Sequence, residues 1–382
     1  MRLLKRTGSR RFPRASRVQA ALMGAAVAAA SAAGAVGISG HLSPDSLGVF
    51  RDAALIAGAA AMPEGVFGAL RERIFSDGSA AAAVPVSPGV SLSGSQPDTA
   101  QSRPAPVTDT PPEISPEYRG VLISETMAGS ASSVCWQIGA GWLRNYTDIS
   151  RAEIDAQLAR PLELAPAADG RVEVLIMHTH ATESYEGYDA DYYDTRNTWR
   201  STDNNENMVA VGNVIAEELE AAGIGVVHDT RQYDYPSYNG SYDRAAESVK
   251  EYLAEYPDLK LILDVHRDGI QRDAATIVKP ATEIDGEPAA QIMILCGSDP
   301  GIGDWGENLR TAAAVTNLLE SRYPTLTRPI YFSTGRYNMD LCGGTILLEF
   351  GSQANTLEEA LTSARLTGQA LGEWLRELAA GA

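Results

Sequence analysis

From Arg171 onward the chain alternates short apolar runs with amphipathic stretches, and this alternation limits the fold more than any other feature. The runs are "VEVLIMH", "IGVVHD", "LKLILDVH", "ATIVK", "AQIMILCG", "PIYFS" and "GTILLEFG", and they read as strands. Helices are predicted at "NMVAVGNVIAEELEAAG", "SYDRAAESVKEYLAEYP", "GENLRTAAAVTNLLESRYP" and "TLEEALTSARLTGQALGEWLREL". In the first helix, Met208, Val211, Ile215 and Leu219 recur at helical spacing, and Gly223 is the stop. The last opens at "NTLEEA", with Asn355 or Thr356 as cap and glutamate in the first turn. Apolar strands alternating with helices define an α/β class: a mostly parallel twisted sheet flanked by helices on both faces. No internal repeat is visible.

The 170 residues before this region divide by composition. Residues 1–17 carry seven Lys or Arg and no acid, and residues 18–40, "VQAALMGAAVAAASAAGAVGISG", carry no charge. That uncharged stretch is about long enough to cross a ~30 Å hydrocarbon core. The basic residues before it predict a cytoplasmic N-terminus and an extracytoplasmic remainder. The expectation is an uncleaved anchor, with a cleaved signal peptide ending near "ASAAG" as the alternative. A juxtamembrane helical segment is expected over 41–75. Residues 76–116 are rich in Ser, Pro and Ala and read as an extended tether. A small lead-in module is expected over 117–170, with a strand at "GVLISE" and a helix at "SRAEIDAQLA". The catalytic domain is expected over 171–382.

The net charge of −18 over 382 residues argues against a nucleic-acid partner. The three cysteines, Cys135, Cys296 and Cys342, include no C-x-x-C pair, so neither a zinc ribbon nor a thioredoxin-type site is expected.

Ligands of open α/β sheets bind outside the carboxyl ends of the strands. Three predicted strands end in reactive side chains. "VLIMHTHATESY" ends in His178, His180 and Glu183; "LILDVHRDG" in Asp264, His266, Arg267 and Asp268; "GTILLEFGSQANT" in Glu349. His180 and Glu183 form H-x-x-E, two ligands able to grip one ion where the chain turns sharply. His266 is the candidate third ligand, and three protein ligands leave a position open for water, as in a catalytic zinc site. Zinc lowers the pKa of its water towards ~7. A carboxylate that is not a ligand must then take the proton, and Glu349 fits that role. His178 is the alternative to His180, because both would face one side of a regular strand. Arg267 reads either as a salt-bridge partner of Asp264 or Asp268, or as stabiliser of a tetrahedral oxyanion. Asn338 and Asp340 lie in a Gly-bounded loop before the Glu349 strand. The Tyr-rich "QYDYPSYNGSYDRA" reads as a surface loop suited to glycan or peptide contact, or packed on itself.

Taken together, "VLIMHTHATESY", "ENMVAVGNVIAEELEAAGIGVVHD", "YPSYNGSYDRA", "LILDVHRDG" and "RYNMDLCGGTILLEFGSQANTLEEA" resemble the stage II sporulation protein P family over about residues 120–378. The resemblance implies a membrane-anchored cell-wall hydrolase with a catalytic domain similar to the zinc-dependent N-acetylmuramoyl-L-alanine amidases and to zinc carboxypeptidases. It implies cleavage of the amide between the muramic acid lactyl group and L-alanine, with an additional activity on peptide cross-links, during engulfment of the forespore. The implied partners are peptidoglycan and the stage II sporulation proteins D and M. Carried across, His180, Glu183 and His266 match the Zn²⁺ ligands and Glu349 the catalytic glutamate. The amidases usually place their glutamate ligand just before the first long helix. That region here reads "STDNNENMVAVG", which makes Glu206 the reserve ligand. The competing readings are a zinc carboxypeptidase, with Arg267 or Arg336 holding the substrate carboxylate, and a non-catalytic wall-binding scaffold.

Overall fold

The structure, a computed structural model, describes residues 111–381. The basic segment, the expected anchor over 18–40, the juxtamembrane segment and the tether up to residue 110 lie outside the described residues. Among the described residues, no helix is long and apolar enough to cross a membrane.

Every predicted strand and helix from residue 119 onward is present, and four short strands join them. The strands are β1 (Arg119–Glu125), β2 (Cys135–Ile138), β3 (Gly141–Asn145), β4 (Val172–Met177), β5 (Tyr192–Asp194), β6 (Gly225–His228), β7 (Leu261–Asp268), β8 (Thr276–Ile284), β9 (Glu287–Ala290), β10 (Ile292–Gly297), β11 (Ile330–Ser333) and β12 (Thr345–Ser352). The helices are α1 (Arg151–Leu158), α2 (Met208–Ala221), α3 (Ser241–Glu255), α4 (Trp305–Arg322) and α5 (Leu357–Ala380).

Eight strands form the main sheet in the order β2-β3-β11-β10-β12-β7-β4-β6. Five of its seven pairings are parallel, but the direction reverses between β10 and β12 and again at the β2-β3 hairpin. The sheet is therefore mixed: two parallel blocks run in opposite senses. A smaller sheet, β5-β1-β8-β9, pairs β1 with β8 in parallel. Residues 119–145 thus contribute to both sheets, through β1 in the smaller one and through β2 and β3 in the main one.

Strand alternation sends side chains to opposite faces, and β4 shows it. Val174 and Ile176 join the cluster containing Met208, Val211, Ile215 and Leu219 of α2. Leu175 and Met177 join the cluster containing Ala245 and Val249 of α3. Helices therefore cover both faces, and α2 and α3 lie on opposite sides of β4. Asn207 caps α2 through a 2.9 Å bond from Val209 N–H, and Thr356 with Glu359 forms a capping box on α5. Helices α2 and α5 pack against each other. Gly368 allows the close approach, since a Cβ there would lie 2.7 Å from Glu218 Cβ.

Candidate functional site

The turn after β4 decides which histidine meets what. The strand ends at Met177, and residues 179–182 form a turn closed by Glu183 N–H donating to His180 O at 3.1 Å. His178 still follows strand alternation and points to the α2 side. Its Nδ1–H donates to Val265 O at 2.9 Å, so its Nε2 accepts from His228 Nε2–H at 2.8 Å. The turn reverses the next histidine. His180 lies on the α3 side, with Nδ1 3.4 Å from Ser241 Oγ and its ring stacked on Tyr238 at 4.4 Å. The two histidines thus do not share a face, because the strand is over before the second begins.

Strands β7 and β12 supply the rest by period two. Asp264 and His266 are two apart on β7 and share the α3 side, opposite Leu263 and Val265, which pack in the α2 cluster. Leu347 of β12 is in register with Asp264, and Glu349 with His266. His180 meets His266 edge-on at 5.3 Å between ring centroids. His266 Nδ1 lies 3.5 Å from Glu183 Oε2, and its Nε2 lies 2.8 Å from Asp264 Oδ1. The second contact is close but out of line, so Nε2 is buried without a hydrogen bond. Asp264 is itself fixed by the N–H of Thr179 at 2.8 Å and its hydroxyl at 2.7 Å.

The charges are strongly perturbed. Burial opposes the charged form of His266, yet Asp264 and Glu183 hold its pKa well above the usual imidazole range. Burial likewise opposes ionisation of Glu183, but Arg267, His266 and Arg200 hold its carboxyl well below the usual value. Burial, reinforced by Asp268, pushes Glu349 upward. One carboxylate oxygen of Glu349, Oε2, is sealed from solvent and has no hydrogen-bond partner. Glu349 is half-buried, and sealing one of its oxygens off without a partner is costly, so it sits where function, rather than stability, explains it.

Arg267 is brought to the site and is buried there. Its Nε donates to Ser184 O at 2.9 Å, Nη2 to Trp199 O at 2.9 Å and Nη1 to Asp268 O at 3.2 Å. Its guanidinium braces the chain around Glu183, whose Oε1 lies 4.0 Å from Nη1. Glu206 is exposed and accepts from Ser201 Oγ at 3.0 Å. The Tyr-rich stretch folds over the site. Asp234 anchors it, accepting from Thr182 Oγ1 at 2.6 Å and from Arg200 Nη1 at 2.6 Å. Arg200 in turn reaches Glu183 Oε1 at 3.5 Å. Asn338 Nδ2 donates to Tyr242 O at 2.9 Å, whereas Asp340 faces Arg336 at 3.9 Å. Tyr337 and Asn338 both have positive φ, 51° and 55°. Such left-handed non-glycine residues cost roughly 1–3 kcal/mol each and cluster at functional sites. Sequence reading missed Thr179, Ser241, Arg200 and Asp234, whose roles arise only from long-range contact.

The donor set suits a zinc ion in its chemistry. Metal-binding histidines commonly give their second nitrogen to a carboxylate. Asp264 stands at Nε2 of His266, leaving Nδ1 towards Glu183. Ser241 stands at Nδ1 of His180, and among the described residues no hydrogen bond occupies its Nε2. As they stand, no three His, Cys, Asp or Glu side chains among the described residues are arranged to hold a metal ion. Glu183 is engaged by Arg200 and Arg267, and the ring of His180 meets that of His266 edge-on at 5.3 Å.

The fold and site together describe an α/β protein with a buried, charged cluster at the carboxyl ends of its strands, on the face that α3 covers. Residues 143–372 match the model of the stage II sporulation protein P (SpoIIP) family, and the chain belongs to that family. It is 27% identical over 240 residues to stage II sporulation protein P of Bacillus subtilis (strain 168), a match covering 60% of this chain and 57% of that protein. The chain thus spans little more than half the length of that curated relative. Among solved structures it is similar to the CwlD amidase from Clostridioides difficile in complex with the GerS lipoprotein. That similarity has a TM-score of 0.36 at 10% identity, covering 55% of this chain and all of that one. It is also similar to the N-acetylmuramoyl-L-alanine amidase AmiC2 of Nostoc punctiforme, with a TM-score of 0.33 at 13% identity, covering 55% and 97%.

Proposed function

We propose that this chain is a zinc-dependent peptidoglycan hydrolase that cleaves the amide between N-acetylmuramic acid and L-alanine. An activity on peptide cross-links, a role in forespore engulfment and cooperation with stage II sporulation proteins D and M belong to the same proposal. So does anchoring by residues 18–40 with the catalytic domain outside the cytoplasm. Family membership supports the setting. The observation that carries the chemistry is Glu349, whose Oε2 is sealed from solvent without a partner, in register with His266.

His180, His266 and Glu183 would hold the zinc ion. Zinc bound there supplies Lewis acidity and a lowered water pKa. The raised pKa of Glu349 lets its carboxylate take a proton from the attacking water near neutrality and return it to the departing nitrogen. Asp264 holds His266 in orientation, and Thr179 holds Asp264. Arg267 and Arg200 hold Glu183 ionised. The Tyr238 ring limits access of water to His180.

The carboxypeptidase alternative needs an arginine for a free substrate carboxylate. Arg267 is spent on three backbone carbonyls, and Arg336 faces Asp299 at 3.4 Å, which favours the amidase reading. Digestion of intact sacculi with the purified chain tests it. Release of whole stem peptides, abolished by a chelator and restored by zinc, is the expected result. Release of terminal D-alanine alone would mark a carboxypeptidase, and binding without any release would mark a scaffold.

A further inference from the structure

Two tyrosines, Tyr238 and Tyr242, border His180, and Tyr337 packs on Tyr242. Tyr238 stacks flat on His180. Tyr337 turns its hydroxyl to Ser333 Oγ at 3.3 Å. Tyr242, in the first turn of α3, lies edge-on to His180 with ring centroids 5.5 Å apart, and 6.0 Å from the Tyr337 ring. Its hydroxyl makes no hydrogen bond among the described residues, yet it is not one of the buried polar atoms sealed off without a partner. A half-buried hydroxyl in that condition opens onto the space beside the histidines.

The ring is held from several sides. Asn338 fixes the Tyr242 carbonyl, and Ser241, its chain neighbour, contacts His180. Asp264 and Glu349 are among the groups close enough to act on its hydroxyl, and a phenol ordinarily keeps its proton up to about pH 10. A protonated phenol is a hydrogen-bond donor, and this one stands beside the proposed ligand His180.

The geometry points to Tyr242 as the donor that receives the carbonyl oxygen of the scissile amide when it becomes an oxyanion. This inference rests on the hydrolase reading. When water oxygen bonds to the carbonyl carbon, the π pair of the C=O bond moves to its oxygen, and Glu349 takes the water proton. The Tyr242 O–H donates a hydrogen bond to that oxygen without losing its proton. The C=O bond then re-forms, the C–N bond breaks, and the nitrogen leaves with the proton from Glu349. A donor aimed where charge develops acts mainly on the transition state.

Tyr242→Phe, made in the full chain, removes the hydroxyl and keeps the ring. The expected result is a fall in kcat of roughly 10²-fold with KM within about threefold of the parent, and unchanged zinc content and melting temperature. A phosphinate analogue of the tetrahedral state should bind the variant about tenfold or more weakly by calorimetry, while an uncleaved muramyl peptide binds both alike. A kcat within about threefold of the parent, or equal weakening of analogue and peptide, overturns the inference. The parent chain serves as control. If it cleaves no amide and ignores the analogue, the hydrolase reading has failed and this inference falls with it; if the parent is active and Tyr242→Phe equals it, only the role of Tyr242 is wrong.

Discussion

Glu349 stands beside His266 as its register partner on the adjacent parallel strand, and the two share one side of the sheet. Neither side chain is satisfied there: His266 Nε2 and Glu349 Oε2 are both buried without a hydrogen bond. Two neighbouring atoms without hydrogen-bond partners on rigid strands form a preorganised polar site, in which Asp264 and Glu183 favour the charged form of His266 while burial disfavours that of Glu349.

Replacing Glu349 by Gln separates function from stability. The variant should lose hydrolysis of sacculi by about 10²–10⁴-fold and keep its zinc. Its melting temperature should be equal to or above that of the parent, because Gln removes a charge that burial disfavours. Zinc loss, or more than about a tenth of parental activity, would move the base elsewhere.

The opposite faces of His178 and His180 give a second test. His180→Ala and His266→Ala should each abolish zinc binding, measured by metal analysis of the purified protein. His178→Ala should keep the zinc but destabilise the fold by about 1–3 kcal/mol, because it strips the partners from Val265 O and His228 Nε2. Retained zinc in His180→Ala, with loss in His178→Ala, would reverse the assignment.

The histidine pair lies under α2 at Gly212, where an added Cβ would come within 2.6 Å of both His178 Nε2 and His228 Nε2. Valine is a better helix former than glycine by only a few tenths of a kcal/mol. Overpacking against rings fixed by hydrogen bonds costs about 1–3 kcal/mol, so the clash wins. Gly212→Val should lower the denaturation midpoint, and an unchanged midpoint would mean that the rings can yield.

His228 makes stability depend on pH. Burial lowers its pKa to about 4, against the opposing effect of Asp229. The unfolded chain, with an ordinary imidazole near ~6.5, binds the proton first as pH falls. Stability should therefore drop as pH decreases from about 6.5 to about 4. In His228→Gln, which retains a donor, this part of the decline should be missing. Parallel melting curves for parent and variant across that interval would show that His228 is not responsible.

Much of the architecture was legible because strand and helix signals are local. Periods of two and 3.6 residues, the Asn207 and Thr356 caps and the strand-end positions of His180, His266 and Glu349 are written within short stretches. The four missed strands are three to five residues long, too short for alternation to show. The "GVVH" run was found, but the partner of its histidine lies 50 residues away.

Other features depended on the three-dimensional path of the chain. Sequence spacing put His178 and His180 on one face; the turn at 179–182 put them on two. Sequence placed Arg267 beside the candidate ligand His266; three carbonyls from Ser184, Trp199 and Asp268 accept from its guanidinium. The reversal between β10 and β12 came from the order in which strands pair. The composition of this chain and its local periods determined which elements form and which side chains reach the sheet edge. Where each side chain points was decided by tertiary structure, because a turn of a few residues or a pairing between distant strands redirects it without altering any local pattern.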